Sequence, residues 1–200
     1  MRGILSLPHD LGVRLQAHAD QSNLKDGDWL HLDPVRLRPA AVLVPLVWES
    51  GQWNLFFTRR AMELEDHSGQ VSFPGGAWEE RDGDLEQTAL REAREEVGID
   101  PASVAVLGKM ARFDMVSYFQ VTPVVGVVAW PCELTLNSRE VARAFIVPLD
   151  WLADPQNYQI KPRQFENQTF SIPYYNDYDG EIIWGATAQM TQEFLRLIQD

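Results

Sequence analysis

The stretches HSGQVSFPGG (residues 67–76) and TALREAREEVG (residues 88–98) together indicate the fold. The first is a short apolar run that ends in Pro-Gly-Gly, and paired glycines allow a sharp turn and a close approach of the backbone to a ligand. The second has apolar residues at helical spacing, with Asp84 ahead of it as N-cap and Gly98 after it as a stop. The two stretches predict a strand and a tight turn, followed by an amphipathic helix.

Three glutamates lie on one side of the predicted helix. Glu92, Glu95 and Glu96 have the spacing that brings side chains onto one face, beside the apolar stripe. Like charges at this spacing repel each other, and clustered carboxylate oxygens suit hard cations such as Mg²⁺ or Mn²⁺. The alternative is a solvated face in which Arg91 and Arg94 pair with the glutamates. Because a glycine turn precedes the helix closely, the combination favours a metal site.

The composition is typical of a globular protein with an acidic surface. The chain has 200 residues, of which 45% are hydrophobic, and a formal net charge of −12. We expect one domain over residues 1–200, with a helical or loop extension at residues 1–35 and the core at residues 36–200. The charge disfavours nucleic acid and anionic membranes as partners. The single cysteine, Cys132, excludes a disulfide framework, and without a predicted secretory signal we expect a cytoplasmic location.

Predicted strands occur in groups with helices between them. We predict helices at residues 11–21 and 186–199, strands at 40–48, 53–58, 70–73, 104–110, 121–130 and 141–149, and a hairpin of 169–175 with 181–184. This pattern indicates an α/β protein in which helices pack on the faces of a mixed sheet.

The turn and the helix together resemble the Nudix box, Gly-x5-Glu-x7-Arg-Glu-U-x-Glu-Glu-x-Gly-U. REAREEVGI (residues 91–99) matches the second half of the box in full. In the first half the interval from Gly76 is one residue longer, so that the first Glu of the box falls near Gly83, between Asp82 and Asp84. The resemblance implies a Nudix-type α/β/α sandwich with a mixed central sheet. It also implies an enzyme that hydrolyses a nucleoside diphosphate linked to another moiety.

The residues ahead of the box narrow this resemblance. LFFTRRAMELEDHSGQVSFPGG (residues 55–76) is similar to the signature of coenzyme A pyrophosphatases, and residues 118–126 and 183–188 continue the likeness. The implied products are adenosine 3′,5′-bisphosphate and (acyl-)4′-phosphopantetheine. One departure is Glu65, which stands where this branch usually carries arginine. The alternatives are a Nudix pyrophosphatase for ADP-ribose, NADH or another nucleoside diphosphate derivative, and a nucleotide-binding module without catalysis, although such modules typically lose box glutamates.

The resemblance assigns a role to each box residue. It implies that Mg²⁺ or Mn²⁺ is held by Glu92 and Glu96, by Glu95 directly or through water, and by the carbonyl of Gly75. Arg91 orients a glutamate through an ion pair. The resemblance also suggests a homodimer.

Two residues are candidates for the general base. One is Glu95, and the other is Glu140, since some members of the family use an acid in the loop before a late strand. The alternative for Glu140 has equal weight: it is a surface charge next to Arg139 and Arg143.

Substrate contacts are expected from the end of the strand at residues 53–58. Arg59 and Arg60 are suited to bidentate phosphate binding, but neighbours in a strand point to opposite faces, so we expect only Arg60 to serve. His67 and Gln70 are candidates for hydrogen bonds to substrate, although His67 has the alternative of bracing the turn. Stacking on adenine is a further candidate role for three aromatic residues that more commonly pack in a core: Phe113, Tyr118 and Phe119.

Overall fold

The computed structural model describes residues 5–21, 24–25, 37–63, 67–165 and 168–199. Its helices are α1 (Leu11–Ala19), α2 (Leu85–Val97), α3 (Leu149–Leu152) and α4 (Gly185–Gln199). Its strands are β1 (Leu24–Lys25), β2 (Arg38–Glu49), β3 (Gln52–Arg60), β4 (Val71–Ser72), β5 (Gly75–Ala77), β6 (Val104–Lys109), β7 (Phe113–Asp114), β8 (Phe119–Val128), β9 (Val141–Pro148), β10 (Tyr158–Phe165) and β11 (Gln168–Tyr175).

Strand β2 lies at the centre of a mixed sheet. It pairs in parallel with β8 and antiparallel with β3 and β5. Strand β3 continues the sheet through antiparallel pairs with β4 and β9, and β8 does so through β6 and β7. The near-continuous apolar run of β2 fits this position, because a strand covered on both faces has no polar side to present to water.

Helices cover the two faces of this sheet. The apolar stripe of α2 packs on one face, and α1 and α4 pack on the other. The first layer contains Ala89, Ala93 and Val97 against Ala41, Leu43 and Phe56, and the second contains Leu11, Leu15 and Phe194 with Leu46 and Phe57. Among the described residues, no helix combines the length and hydropathy that a membrane span requires.

Most of the predicted elements are confirmed, with bounds that differ by two residues or fewer. The ends of α2 are as predicted: the Asp84 carboxylate accepts a hydrogen bond from the backbone N–H of Gln87 at 2.9 Å, and Gly98 is left-handed with φ of +79°. In α1, by contrast, the Asp10 side chain does not cap the helix but binds Arg14.

The predicted hairpin of residues 169–175 with 181–184 is confirmed only next to its turn, where Tyr174 bridges Trp184 and the Tyr175 N–H donates to the Ile183 carbonyl at 2.8 Å. Over its whole length, strand β11 pairs with β10, in a separate two-stranded sheet. Residues 181–184 form isolated bridges and no strand. Their path is determined by side-chain contacts with distant parts of the chain. The Glu181 side chain is 3% exposed and accepts hydrogen bonds from Arg59 of β3 and Arg143 of β9, which attaches this segment to the main sheet.

Candidate active site

The two glycines of the Pro-Gly-Gly stretch form strand β5 and adjoin α2. A side-chain carbon on Gly76 would lie 2.5 Å from Oε1 of Glu92, so the strand backbone is in direct contact with that carboxylate. A side-chain carbon on Gly75 would overlap the backbone of Ala41 and Val42 in β2. The predicted turn is therefore a short strand whose first glycine is required by sheet packing and whose second is required by the carboxylate.

Arg91 binds the acidic side chains along this face of α2. Its Nε and Nη2 donate to the two carboxylate oxygens of Asp82, at 2.6 and 3.1 Å, and Nη2 also donates to the carbonyl of Ala77. Its Nη1 donates to Glu92 at 2.8 Å and to Glu95 at 3.0 Å. With its donors engaged in this way, Arg91 fits the orienting role predicted for it.

Asp82 occupies the first acidic position of the box. Its carboxylate is 2% exposed and also accepts hydrogen bonds from the Thr88 hydroxyl and the Glu79 N–H, both at 2.9 Å. The Arg91 guanidinium, with these further donors, lowers the pKa of Asp82 to about 2. Counting back from Arg91 places this acid near Gly83, whereas leaving five residues after Gly76 identifies Asp82. The extra residue is accommodated in the turn before α2.

The side chains of Glu92, Glu96 and Glu140, here called the acidic cluster, influence one another electrostatically. Glu96 is 4% exposed, and its Oε2 has no hydrogen-bond partner among the residues described. Burial raises the pKa of Glu96 to about 8; Glu92 and Glu140 add to this, while Arg60 and the Gly75 N–H oppose it. Burial also raises the pKa of Glu92, despite the hydrogen bond from Arg91. The cluster thus combines a buried carboxyl, which is costly to ionise without a counter-charge, with two partly buried carboxylates beside it.

The donor chemistry of the acidic cluster fits a hard divalent cation. Within the described part of the chain, no three Asp, Glu, His or Cys side chains converge closely enough to hold a metal unaided. Carboxylates of Glu92 and Glu96 would be the protein ligands, with water and substrate oxygens beside them, as Mg²⁺ prefers. A cation there would favour the ionised form of Glu96 and give its unpaired oxygen a partner. Glu95 is about half exposed and lies at the rim, bound by Arg91 and Arg81.

Sequence comparisons agree with this arrangement. The family model of the NUDIX domain matches residues 37–168. A relative from Pectobacterium atrosepticum, named as the uncharacterized Nudix hydrolase NudL, is 41% identical over 163 residues, which cover 82% of this chain and 84% of the relative. A protein of the same name from Enterobacter sp. is 38% identical, over 80% of this chain and 83% of the relative. This chain belongs to the Nudix hydrolase family.

Solved structures confirm the predicted Nudix fold. A Nudix hydrolase from Alicyclobacillus acidocaldarius gives a TM-score of 0.55 at 18% identity, over 84% of this chain and 93% of the other. DR0079 from Deinococcus radiodurans gives 0.51 at 16% identity, over 82% and 88%. Helix α2 is accordingly called the Nudix helix below.

The two adjacent arginines at the end of β3 lie on opposite sides of the sheet. The charge of Arg60 lowers the pKa of Glu96, so its side chain faces the Nudix helix, and its buried Nε has no hydrogen-bond partner within the described ranges. Arg59 donates from Nη1 to Glu181 at 3.0 Å on the other side. Strand alternation predicted this separation. Of the two candidate phosphate ligands, the structure brings only Arg60 to the acidic cluster.

His67 and Gln70 lie together in the loop that precedes β4. Nδ1 of His67 is 3.1 Å from Oε1 of Gln70, and His67 has a positive φ of +56°. The backbone N–H of Arg60 donates to the Gln70 carbonyl at 2.9 Å, which ties the loop to the end of β3. The contact is compatible with the bracing role considered for His67, whose side chain is exposed, while that of Gln70 is partly exposed. Glu65 lies outside the described residues.

Glu140 lies beside the Nudix helix rather than on a remote surface. Its negative charge raises the pKa of both Glu92 and Glu96. Nδ2 of Asn137 donates to its Oε1 at 2.9 Å. Arg143, one of its two basic neighbours in the sequence, forms ion pairs with Asp179 and Glu181. The position favours a role in the site.

The three aromatic candidates for adenine stacking differ in exposure. Phe113 is fully buried in the core, so its role is packing. Phe119 is half-buried beneath the guanidinium of Arg38, 5.1 Å from the ring centroid. Tyr118 is 47% exposed and retains an accessible ring.

Proposed function

We propose that this Nudix hydrolase cleaves the pyrophosphate bond of coenzyme A or acyl-coenzyme A, giving adenosine 3′,5′-bisphosphate and (acyl-)4′-phosphopantetheine, with Mg²⁺ or Mn²⁺ bound. One observation carries the proposal. Two described residues of the segment that resembles coenzyme A pyrophosphatases (residues 55–76) lie beside the acidic cluster. Arg60 faces Glu96, and Gly76 contacts Glu92. The residues of the substrate signature thus border the carboxylates of the reaction.

Different side chains would bind the metal and the phosphate groups of the substrate. Glu92 and Glu96 would hold the metal, which neutralises phosphate charge and lowers the pKa of bound water. The guanidinium of Arg60 supplies donors to a phosphate, and its buried, unpaired Nε is available for this purpose. Arg91 keeps Glu92 and Glu95 in position and does not need to contact substrate.

Of the two candidate general bases, Glu140 is favoured by its hydrogen bonds. A general base must remove a proton from the attacking water. Both carboxylate oxygens of Glu95 accept hydrogen bonds from guanidinium groups, those of Arg81 and Arg91, so both are already engaged. For Glu140, the described contacts include a neutral amide donor on one oxygen.

Product analysis tests this proposal directly. Coenzyme A is incubated with the protein and Mn²⁺, and products are separated by chromatography and identified by mass. We expect 4′-phosphopantetheine and adenosine 3′,5′-bisphosphate in equal amounts. The Glu96→Gln variant, purified in parallel, should give neither product and so excludes a contaminating enzyme.

A second candidate substrate class rests on Glu65, which replaces the usual arginine of the coenzyme A branch. The same assay therefore includes ADP-ribose, NADH and dinucleoside polyphosphates. Cleavage of one of these without cleavage of coenzyme A would reject the coenzyme A assignment and retain the pyrophosphatase. Binding of these compounds without any turnover would favour a nucleotide-binding module, which retention of all three box glutamates makes the less favoured outcome.

A further inference from the structure

The turn at residues 137–140 is fixed by backbone hydrogen bonds on two sides. The N–H of Asn137 donates to the carbonyl of Glu96 at 2.9 Å, which attaches the turn to the Nudix helix. The N–H of Ala61, the residue after β3, donates to the carbonyl of Glu140 at 2.8 Å. Within the turn, the carbonyl of Asn137 accepts from the N–H groups of Glu140 and Val141. The backbone of this turn is therefore held mainly by main-chain hydrogen bonds.

The side chain of Asn137 makes two further contacts. Its Nδ2 donates to Oε1 of Glu140 at 2.9 Å, and its Oδ1 accepts from the N–H of Arg139 at 3.3 Å. The second contact lies within the turn, whereas the first acts on the carboxylate of Glu140, in a turn whose backbone is hydrogen-bonded to Glu96. Because different atoms make them, the two contacts can be separated by mutation.

We propose that Asn137 is a positioning residue that holds the Glu140 carboxylate toward the cation site of the acidic cluster. This inference rests on the proposed function, because it takes Glu140 to act in the reaction. An amide suits the task, since it orients a carboxylate by a hydrogen bond but carries no charge that would neutralise it. Lysine or arginine at the same place would form an ion pair and reduce the negative charge that Glu140 offers to a cation or to a proton.

Two substitutions separate the contacts of Asn137. In Asn137→Asp, a carboxylate oxygen still accepts from the Arg139 N–H, but the donor to Glu140 is lost; in Asn137→Ala, both contacts are lost. We expect kcat to fall about 10- to 100-fold in both variants, as for outer residues that orient ligands, with KM nearly unchanged. Asn176→Asp is the matched control. Asn176 is exposed and its Nδ2 likewise donates a hydrogen bond, to the carbonyl of Gln156. It should retain wild-type kcat.

A double-mutant cycle distinguishes positioning from a general effect on the fold. If Asn137 acts through Glu140, Asn137→Ala should lower kcat in the wild-type background and have little further effect in a Glu140→Ala background. Equal fractional losses in both backgrounds would overturn the proposal. Thermal unfolding of each variant identifies any loss of kcat that accompanies partial unfolding.

The same double-mutant cycle can be measured without substrate. Its quantity is then the dissociation constant for Mn²⁺, determined by electron paramagnetic resonance in the absence of nucleotide. We expect weaker binding in Asn137→Ala, and no additional weakening by this substitution when Glu140 is alanine. Failure of the proposed function would appear separately, as wild-type protein that does not turn over coenzyme A. In that case the Mn²⁺ cycle still decides whether Asn137 acts through Glu140.

Discussion

At the scale of single residues, Asp82 organises the site through Arg91. The guanidinium is largely buried, and its other partners are two of the three box glutamates. Because Asp82 binds it through both carboxylate oxygens, the orientation of Arg91 is fixed, and that of Glu92 and Glu95 follows from it. The sequence motif predicted the glutamates and Arg91, but it left their acidic partner uncertain, since the chain has an additional residue in this interval.

Asp82→Asn tests this dependence. Arg91 retains its ion pairs with Glu92 and Glu95 in this variant, so its charge is not left uncompensated. We expect a loss of about 1.5–3 kcal/mol in the free energy of urea unfolding, the usual contribution of hydrogen bonds to charged groups, together with a lower kcat, since Arg91 no longer holds Glu92 firmly. Asp84→Asn is the control two residues away. Asparagine caps helices as well as aspartate does, so its unfolding free energy should stay within about 0.5 kcal/mol of wild type.

The same variant has a defined pH dependence. The pKa of Asp82 is about 2 in the folded protein, below its usual value of 3.8. Its contribution to stability is therefore fully present above the unfolded pKa and is lost as pH falls through the folded pKa. The difference in unfolding free energy between wild type and Asp82→Asn should be constant from about pH 7 to 5 and shrink toward pH 3. A difference that increases on acidification would contradict this assignment.

Asn137 shows where residue-level prediction from sequence ends. Its hydrogen bonds join the Nudix helix to the start of β9, which are distant in sequence. No periodicity or motif in the local sequence indicates such a contact. Arg60, by contrast, was separable from Arg59 in advance, because strand alternation operates between neighbours.

At the scale of secondary structure elements, the strands and helices that carry a clear signal in their own sequence were the ones predicted correctly. The apolar run of β2 and the caps of α2 are encoded in their own residues, and both elements are confirmed. Strand β10 was missed because it contains Pro162 and many polar residues. Proline is tolerated there because both strands of a two-stranded sheet are edges. Its partner β11 likewise contains Pro173.

The approach of β5 to the Nudix helix leads to a prediction about Gly76. In Gly76→Ala the new carbon would lie 2.5 Å from Oε1 of Glu92, and the carboxylate must move because it is the flexible partner. We expect kcat and Mn²⁺ affinity to fall about 10- to 100-fold, with only a small change in the unfolding free energy. Kinetics, Mn²⁺ titration and urea unfolding of the same preparation measure the three quantities.

Substitutions at two other glycines serve as comparisons for Gly76→Ala. Gly75→Ala would place its carbon against the backbone of β2, which cannot yield as a side chain can, so the main loss should be in stability. Gly12→Ala is the benign control, since its carbon would meet only an ordinary van der Waals contact at 3.5 Å from the Leu107 carbonyl. A Gly76→Ala variant with wild-type Mn²⁺ affinity would show that Glu92 need not occupy the observed position.

At the scale of the whole molecule, the sheet separates the layer formed by α1 and α4 from the candidate active site. The acidic cluster lies on the face covered by the Nudix helix, and α1 lies on the other face with α4. Helix α1 is attached there by its apolar residues and by His18, whose Nε2 is 3.0 Å from Glu193 of α4 and whose Nδ1 accepts from the N–H of Ala111. The sequence alone left open whether this N-terminal segment serves the site. For its described helix, the arrangement indicates a structural role.

Leu15→Ala tests this separation. Leu15 is fully buried between α1 and the sheet, and such truncations cost roughly 2–5 kcal/mol. In a chain of this size each kcal/mol lowers Tm by about 2–4 °C, so a decrease of roughly 4–20 °C is expected in a thermal scan. Val13 lies on the opposite side of the same helix and is 72% exposed, so Val13→Ala should leave Tm nearly unchanged. Because the acidic cluster lies across the sheet, kcat of Leu15→Ala measured well below its Tm should equal that of wild type. A lower kcat in folded protein would mean that α1 contributes to the active site after all.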